Sequence, residues 1–251
     1  MLSNSQNENC MPTKVAACQV PDIRENISAS LEWIEKFTKH ADDENVSLIC
    51  FPECYLQGYL TEKNLAKEYA IELMSLTFKN ILQRLIKFNS LIVFGLIEQE
   101  NENLFNTAVL IKRGILIGKY RKIHLLQGEQ LFKAGADYPV FQVNDLIFGI
   151  NICYDTQFPE GAKKLAQQGA TLMLCPSNNM MRHETAEKFK HLHHEMRMER
   201  VKETGIWLIS SDVTGGRDGR ISYGPTSVIN PTGEIVKQVP LNTTGMITIE
   251  I

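Results

Sequence analysis

Residues 145–179 read DLIFGINICYDTQFPEGAKKLAQQGATLMLCPSNN, a strand, a helix and a second strand. The run 145–155 is apolar up to Cys153 and turns polar at Asp155. FPEGAKKLAQQGA, at 158–170, has a proline near its start and Gly169 near its stop, the asymmetry of a helix. TLMLCPSNN, at 171–179, is another short apolar run that ends in a polar loop. Strands that are apolar throughout are buried on both faces, and a helix between two of them covers a sheet.

The same alternation extends in both directions. Towards the N-terminus, KVAACQV at 14–20 is a strand, and Ile27, Leu31, Ile34 and Ala41 form a helical stripe. VSLICFPE at 46–53 is a buried strand that stops at Pro52 and Glu53. The spacing of Leu73, Leu76, Ile81, Leu85 and Phe88 predicts helix across 64–88. LIVFGLIE at 91–98 and NTAVLIK at 106–112 are strands, and RGILIGKYRK turns at Gly114 and runs extended to Lys122. Towards the C-terminus, 183–205 reads as one long helix closed by Gly205, followed by the buried strand IWLISSDV at 206–213. PTSVIN, EIVKQV and GMITIEI then predict an antiparallel series, with PTG at 231–233 as its first turn. Hairpin-like pairs in both halves make the sheets mixed. The expectation is an α/β fold of two mixed sheets face to face with helices outside, in one domain over 1–251, with residues 1–13 as a leader.

Composition narrows the function classes. The chain has 251 residues, 43% hydrophobic and 22% charged, with a net charge of -3. That balance lacks the basic footprint of nucleic-acid binding. Apolar runs such as 91–97 and 146–152 are too short to span a bilayer. The N-terminus has no signal pattern, and Met11 offers an alternative start. A chain of this kind is expected in the cytoplasm, with its six cysteines reduced. No CxxC pair or complete two-histidine helix signature occurs, so neither metal nor cofactor is expected. TGGRDGR at 214–220 is glycine-rich but no P-loop lysine follows, and it reads as a turn near the pocket.

Three strand ends deliver reactive groups into polar sequence: Glu53 in FPECYLQGY, Lys122 and Glu129 in GKYRKIHLLQGEQ, and Cys153 in NICYDTQFPE. Taken in that order, with CPSNN at 175–179 and SYGPTSVINPTGEIV at 222–236, they resemble the nitrilase superfamily of carbon–nitrogen hydrolases. The likeness covers nearly all of the chain after residue 14. It implies an αββα sandwich, a homodimer paired through the outer helices, and a small-molecule amide substrate. It also implies Cys153 as nucleophile, Glu53 as general base and acid, Lys122 as the positive charge, and Glu129 as a further glutamate. Tyr154 and Asp155 stand where true nitrile hydrolases carry tryptophan and glutamate, so the resemblance points to the amidase and carbamoylase branches.

The residue types suit that chemistry on their own terms. An amide is a poor electrophile, and a sulfur nucleophile divides its cleavage into two easier steps. A cysteine with a pKa of ~8.5 is mostly protonated at neutral pH, so a nearby base is needed. Glu53 can serve only with its proton affinity raised by burial. The N–H of Tyr154 and the Lys122 ammonium can receive the developing oxyanion. Tyr59, Asn178, Met180 and Arg182 are the candidate substrate contacts, Arg182 for a carboxylate. Alone, a cysteine ending a buried strand is core filler, and a lysine in a polar stretch is a solvated surface group. The polar turn after Cys153, which leads into a helix, weighs against the plain reading. Cys54 adjoins Glu53, but alternation along an extended strand would point it away. Acyl transfer from the same thioester, or ligand binding without catalysis, remain the rival functions.

Overall fold

Apolar sequence becomes strand here wherever a neighbour can cover both faces. The computed structural model describes residues 12–251; most of the leader, with Cys10 and Met11, lies outside them. In chain order the first half contains β1 (Lys14–Pro21), α1 (Ile27–Asp43), β2 (Leu48–Cys50), α2 (Lys63–Tyr69), α3 (Leu76–Leu85), β3 (Leu91–Glu100), β4 (Asn103–Lys112) and β5 (Ile115–Arg121). The second half contains β6 (Val140–Val143), β7 (Leu146–Ile150), α4 (Pro159–Gln167), β8 (Leu172–Pro176), β9 (Met181–Arg182), α5 (His183–Phe189), α6 (Leu192–Thr204), β10 (Trp207–Arg217), β11 (Arg220–Ser222), β12 (Ser227–Ile229), β13 (Ile235–Gln238) and β14 (Gly245–Glu250).

One sheet runs β5-β4-β3-β2-β1, with β14 antiparallel to β1. The other runs β6-β7-β8-β10, with β12 and β13 continuing from β10. Both mix parallel and antiparallel pairs. Among the described residues they join only where the ends of β1 and β10 pair in parallel, at Gln19–Asp212, Val20–Val213 and Pro21–Thr214. Alternation along β1 sorts the layers. Val15 and Ala17 face a core shared with Phe148, Ile150 and Leu174 of the second sheet. Ala16, Cys18 and Val20 face Leu31 and Ile34 of α1 and Phe78 of α3. Ala162 and Leu165 of α4 and Val201 of α6 pack against the second sheet. The order is helix, sheet, sheet, helix, the four-layer αββα sandwich. No helix among the described residues is long and apolar enough to cross a membrane.

Three local expectations differ from the structure. The 64–88 helix is two helices, because Ile71 leaves helical geometry to exchange backbone hydrogen bonds with Ile97 and Gln99 of β3. The 183–205 helix breaks at Lys190 and His191, so α5 packs on β11 while α6 packs on α4 and β10. The tail is not one antiparallel series: β14 leaves β13 and pairs with β1.

Candidate active site

The site lies where several strands end. After β2 the chain does not continue extended. Residues 53–57 form turns, with Cys54 at a φ of 48°, and Gln57 ties them down by donating to Ile97 O and accepting from Ile97 N–H. This geometry, not strand alternation, places Cys54 among Leu60, Ala66, Ile97 and Phe132. Glu53 turns the other way and is 1% exposed. β5 delivers Lys122, and a short 3-10 turn (Gln127–Glu129) returns Glu129 to meet it.

Lys122 donates to Glu53 Oε1 at 2.7 Å and to Glu129 Oε1 at 2.9 Å. Asn106 Nδ2 repeats this pattern, donating to Glu53 Oε1 at 2.7 Å and Glu129 Oε1 at 3.1 Å. Among the described residues, Glu53 Oε2 accepts only the Asn178 N–H, at 3.0 Å. Glu129 Oε2 accepts the Leu126 N–H at 2.8 Å. Lys119 points elsewhere, to Glu98 at 2.5 Å, as alternation along the strand requires.

Cys153 begins a 3-10 turn (Cys153–Gln157) at a φ of 44°, a left-handed conformation that costs about 1–3 kcal/mol for a non-glycine residue. Asp155 holds this turn. Its Oδ2 accepts the Tyr120 hydroxyl at 2.7 Å and the Ile152 N–H at 2.9 Å; its Oδ1 accepts the His124 N–H at 2.7 Å and the Ile123 N–H at 3.2 Å. One buried carboxylate thus fastens the chain just beyond Lys122 to the turn that carries Cys153. The Tyr154 N–H lies in the first turn, where helical donors lack an internal acceptor. The Tyr154 ring meets Phe158 edge-on, with centroids 5.4 Å apart.

A cavity of about 700 Å³ opens onto Cys153. Tyr59, Tyr154, Asn178, Met180 and Arg182 all line it, so every sequence-derived substrate candidate reaches the same space. Glu53, Lys122 and Glu129 form a buried layer apart from these lining residues. The 214–220 stretch forms a hairpin tip, with Asp218 and Gly219 at φ values of 49° and 69°, and it presents Arg217, Asp218 and Arg220 to the cavity. Asn178 Nδ2 is buried and finds no hydrogen-bond partner among the described residues.

Electrostatics follow from this packing. Burial raises the Glu53 carboxyl, Lys122 draws it down, Glu129 raises it again, and it remains above the usual carboxylate range. Burial disfavours charge on Lys122, but Glu53, Cys153 and Glu129 outweigh it and hold the amine above its ordinary value. Burial and Glu53 push the Cys153 thiol well up, against the pull of Lys122. The charges of Cys153, Glu53 and Lys122 therefore act on one another. Such a group can exchange a proton between sulfur and carboxylate beside a fixed positive charge.

Sequence reading missed Asn106, Asp155 as a clamp, and Asp212. Asp212 could have been found as an acid inside the apolar run 206–213, whereas Asn106, which opens 106–112, carries no such sign. A family model described as carbon–nitrogen hydrolase matches residues 14–251. A probable nitrilase of Schizosaccharomyces pombe is 27% identical, covering 92% of this chain and 84% of its own. An omega-amidase of Saccharomyces cerevisiae is 27% identical, covering 90% and 82%. A solved amidase from Nesterenkonia sp. shares the fold with a TM-score of 0.81 at 20% identity, covering 96% of this chain and 91% of that one.

Proposed function

The chain belongs to the carbon–nitrogen hydrolase family of the nitrilase superfamily, and on that premise we propose that it hydrolyses a small linear amide through a thioester on Cys153. The observation that carries this reading is the Lys122 ammonium held between Glu53 and Glu129 in the buried layer that acts electrostatically on Cys153.

The steps follow from the hydrogen-bond pattern. Glu53 Oε1 already accepts from both Lys122 and Asn106, which leaves Oε2 as the oxygen for proton transfer. As the substrate carbonyl settles, the Cys153 proton passes to Glu53 and the sulfur bonds to the carbonyl carbon. The C=O electron pair moves to oxygen, where Lys122 and the Tyr154 N–H receive it. The intermediate collapses, the C–N bond breaks, and Glu53 returns the proton to the departing nitrogen. Water then gives a proton to Glu53 and attacks the thioester; the C–S bond breaks, Glu53 returns that proton to the sulfur, and the acid is released with the thiol restored. Glu129 and Asn106 hold Lys122 and Glu53 in register throughout. The raised proton affinity of Cys153 supports a neutral thiol at rest. In the Nesterenkonia sp. amidase, a mutant carries the acetamide moiety of fluoroacetamide covalently on its active-site cysteine. That precedent supports covalent chemistry here.

The substrate class is an amide with an anionic far end, either an ω-amide of a dicarboxylic acid or an N-carbamoyl amino compound. Arg182 of β9 and Arg220 of β11 sit directly opposite each other beside the cavity. Among the described residues neither forms an ion pair. Like charges facing across strands repel, and an anion between them relieves that. Tyr154 and Asp155 support amide over nitrile. We place the enzyme in the cytoplasm, which free Cys18, Cys50, Cys54, Cys153 and Cys175 support, and as a homodimer on the family resemblance, testable by sedimentation.

Incubation with a panel of ω-amides, N-carbamoyl compounds and nitriles tests the reaction. Ammonia release and a transient mass increment on Cys153 that decays in water are expected. Decay only with added amine would make it a transferase. No adduct and no turnover across the panel would leave a binding protein.

A further inference from the structure

Beyond the buried layer of Glu53, Lys122 and Glu129, a further carboxylate approaches the sulfur through an intermediary. Asp212 of β10 is fully buried. Its Oδ1 accepts the N–H groups of Asn179 at 3.0 Å and Val213 at 2.8 Å, and its Oδ2 accepts the Asn179 side-chain NH2 in a short bond. Asn179, 4% exposed, has its other amide end, Oδ1, 4.0 Å from Cys153 Sγ.

We infer that Asp212 is a positioning residue that fixes the Asn179 amide so that its carbonyl oxygen, not its NH2, faces the sulfur of Cys153. An ionised carboxylate has only acceptors, so the nitrogen end of the amide must turn to it. The oxygen then faces the sulfur, where it can accept from S–H but repels a thiolate. The arrangement keeps Cys153 protonated until a substrate and Glu53 draw the proton away. This inference rests on Cys153 being the nucleophile.

The groups facing Asp212 fit this role. Arg197 approaches from α6, but it donates to Ser210 Oγ, Pro225 O and Ser177 Oγ and makes no ion pair with Asp212. Cys175 of β8 and Cys153 are the other titratable neighbours. Burial pushes the Asp212 carboxyl up to about 6, with Arg197 and the bonds from Asn179 and Val213 holding it down. The carboxylate is therefore ionised at neutral pH.

The test is alkylation by iodoacetamide from pH 5 to 10, read as mass added to Cys153, in wild type, Asp212→Asn, Asn179→Ala and the double variant. In Asp212→Asn the new amide can donate to Asn179 Oδ1 and let its NH2 swing to the sulfur. The apparent pKa of Cys153 should then fall by about one unit, which raises alkylation at pH 7 about tenfold. In the Asn179→Ala background the same change should add less than about threefold, because the relay is already cut. An unchanged profile in Asp212→Asn, or an equal shift in both backgrounds, overturns the inference; the latter would make Asp212 a remote charge only. A role confined to folding would not lower a thiol pKa. If Asp212→Asn fails to fold by circular dichroism, the wild-type side-chain amide signal of Asn179 decides. It should titrate with a midpoint near 6 by NMR, and a flat response overturns the inference. The readout is alkylation, so absent amide turnover would sink the hydrolase reading while leaving this one standing.

Discussion

At the residue scale, the group around Lys122 separates chemistry from stability. Cys153→Ala removes only a sulfur at the cavity floor, so it should abolish turnover and leave the thermal melt within a few degrees. Glu53→Gln keeps hydrogen-bonding capacity but loses the proton shuttle. Its kcat should fall at least ~1000-fold with KM little changed, since general acid–base catalysis contributes about 10²–10⁴ and Glu53 acts in both half-reactions. A fall confined to KM would remove Glu53 from the mechanism. Arg182→Ala should raise KM about tenfold for an anionic amide and leave a neutral amide unaffected, since only the former loses a charge-assisted bond. Equal effects on both substrates would refute the anionic class. Glu53 and Cys153 were legible as candidates because each ends an apolar run in polar sequence, whereas Lys122 follows the charged GKYR and was singled out by the family resemblance. Asn106 was not legible, since its partners Glu53 and Glu129 lie 53 and 23 residues away, and nothing local to β4 announces them.

At the element scale, β3 determines where Glu53 can sit. A Cβ added at Gly95 would meet Cys54 N at 2.2 Å, Pro52 O at 2.6 Å and Glu53 C at 2.7 Å. All three are backbone atoms of the Glu53 turn, so no rotamer change relieves them. Gly95→Ala should therefore displace Glu53, cutting kcat/KM by at least ~100-fold and destabilising the fold by about 1–3 kcal/mol. Denaturant unfolding alongside kinetics checks both, and unchanged activity would show that the turn is not seated on β3. Asp155→Ala should cost about 3 kcal/mol or more, because it strands N–H groups of Ile123, His124 and Ile152. The limits of sequence reading are of the same kind. Strands and helices were legible from periodicity, whereas the break at residues 70–75 was not. Ile71, within the expected 64–88 helix, leaves helical geometry because backbone bonds to β3 compete for it, a tertiary effect that apolar spacing does not carry. Ser75, which caps Phe78 N–H, was the local sign of the restart.

At the scale of the whole molecule, helix, strand and hydrophobic pattern were enough to give the layer order. The seam between sheets was not, because the three-residue pairing of β1 with β10 joins residues nearly 200 apart. The helix layer outside that seam carries a pH dependence of folding. His194 of α6 is 6% exposed, with Nδ1 3.4 Å from Ser227 Oγ. Burial first, then Arg197 and His191, hold it down at about 4, and burial with the same arginine holds neighbouring His193 at about 3. A histidine whose folded pKa lies below its unfolded value binds more protons unfolded. Its contribution is thus complete above pH ~6.5 and is lost as pH falls toward the folded value. For His194 the loss is on the order of 3 kcal/mol. Asp212 works the other way: its folded carboxyl, at about 6, binds protons more tightly than the unfolded one, so acidification favours the fold through it. Comparing wild type with His194→Gln cancels this opposing effect. Glutamine keeps a polar contact toward Ser227 but never charges. Urea unfolding at pH 7.5 and 4.5 should show the variant gaining relative to wild type by about 2–3 kcal/mol on acidification. Parallel curves at the two pH values would mean that His194 takes up its proton as readily inside the fold as outside it.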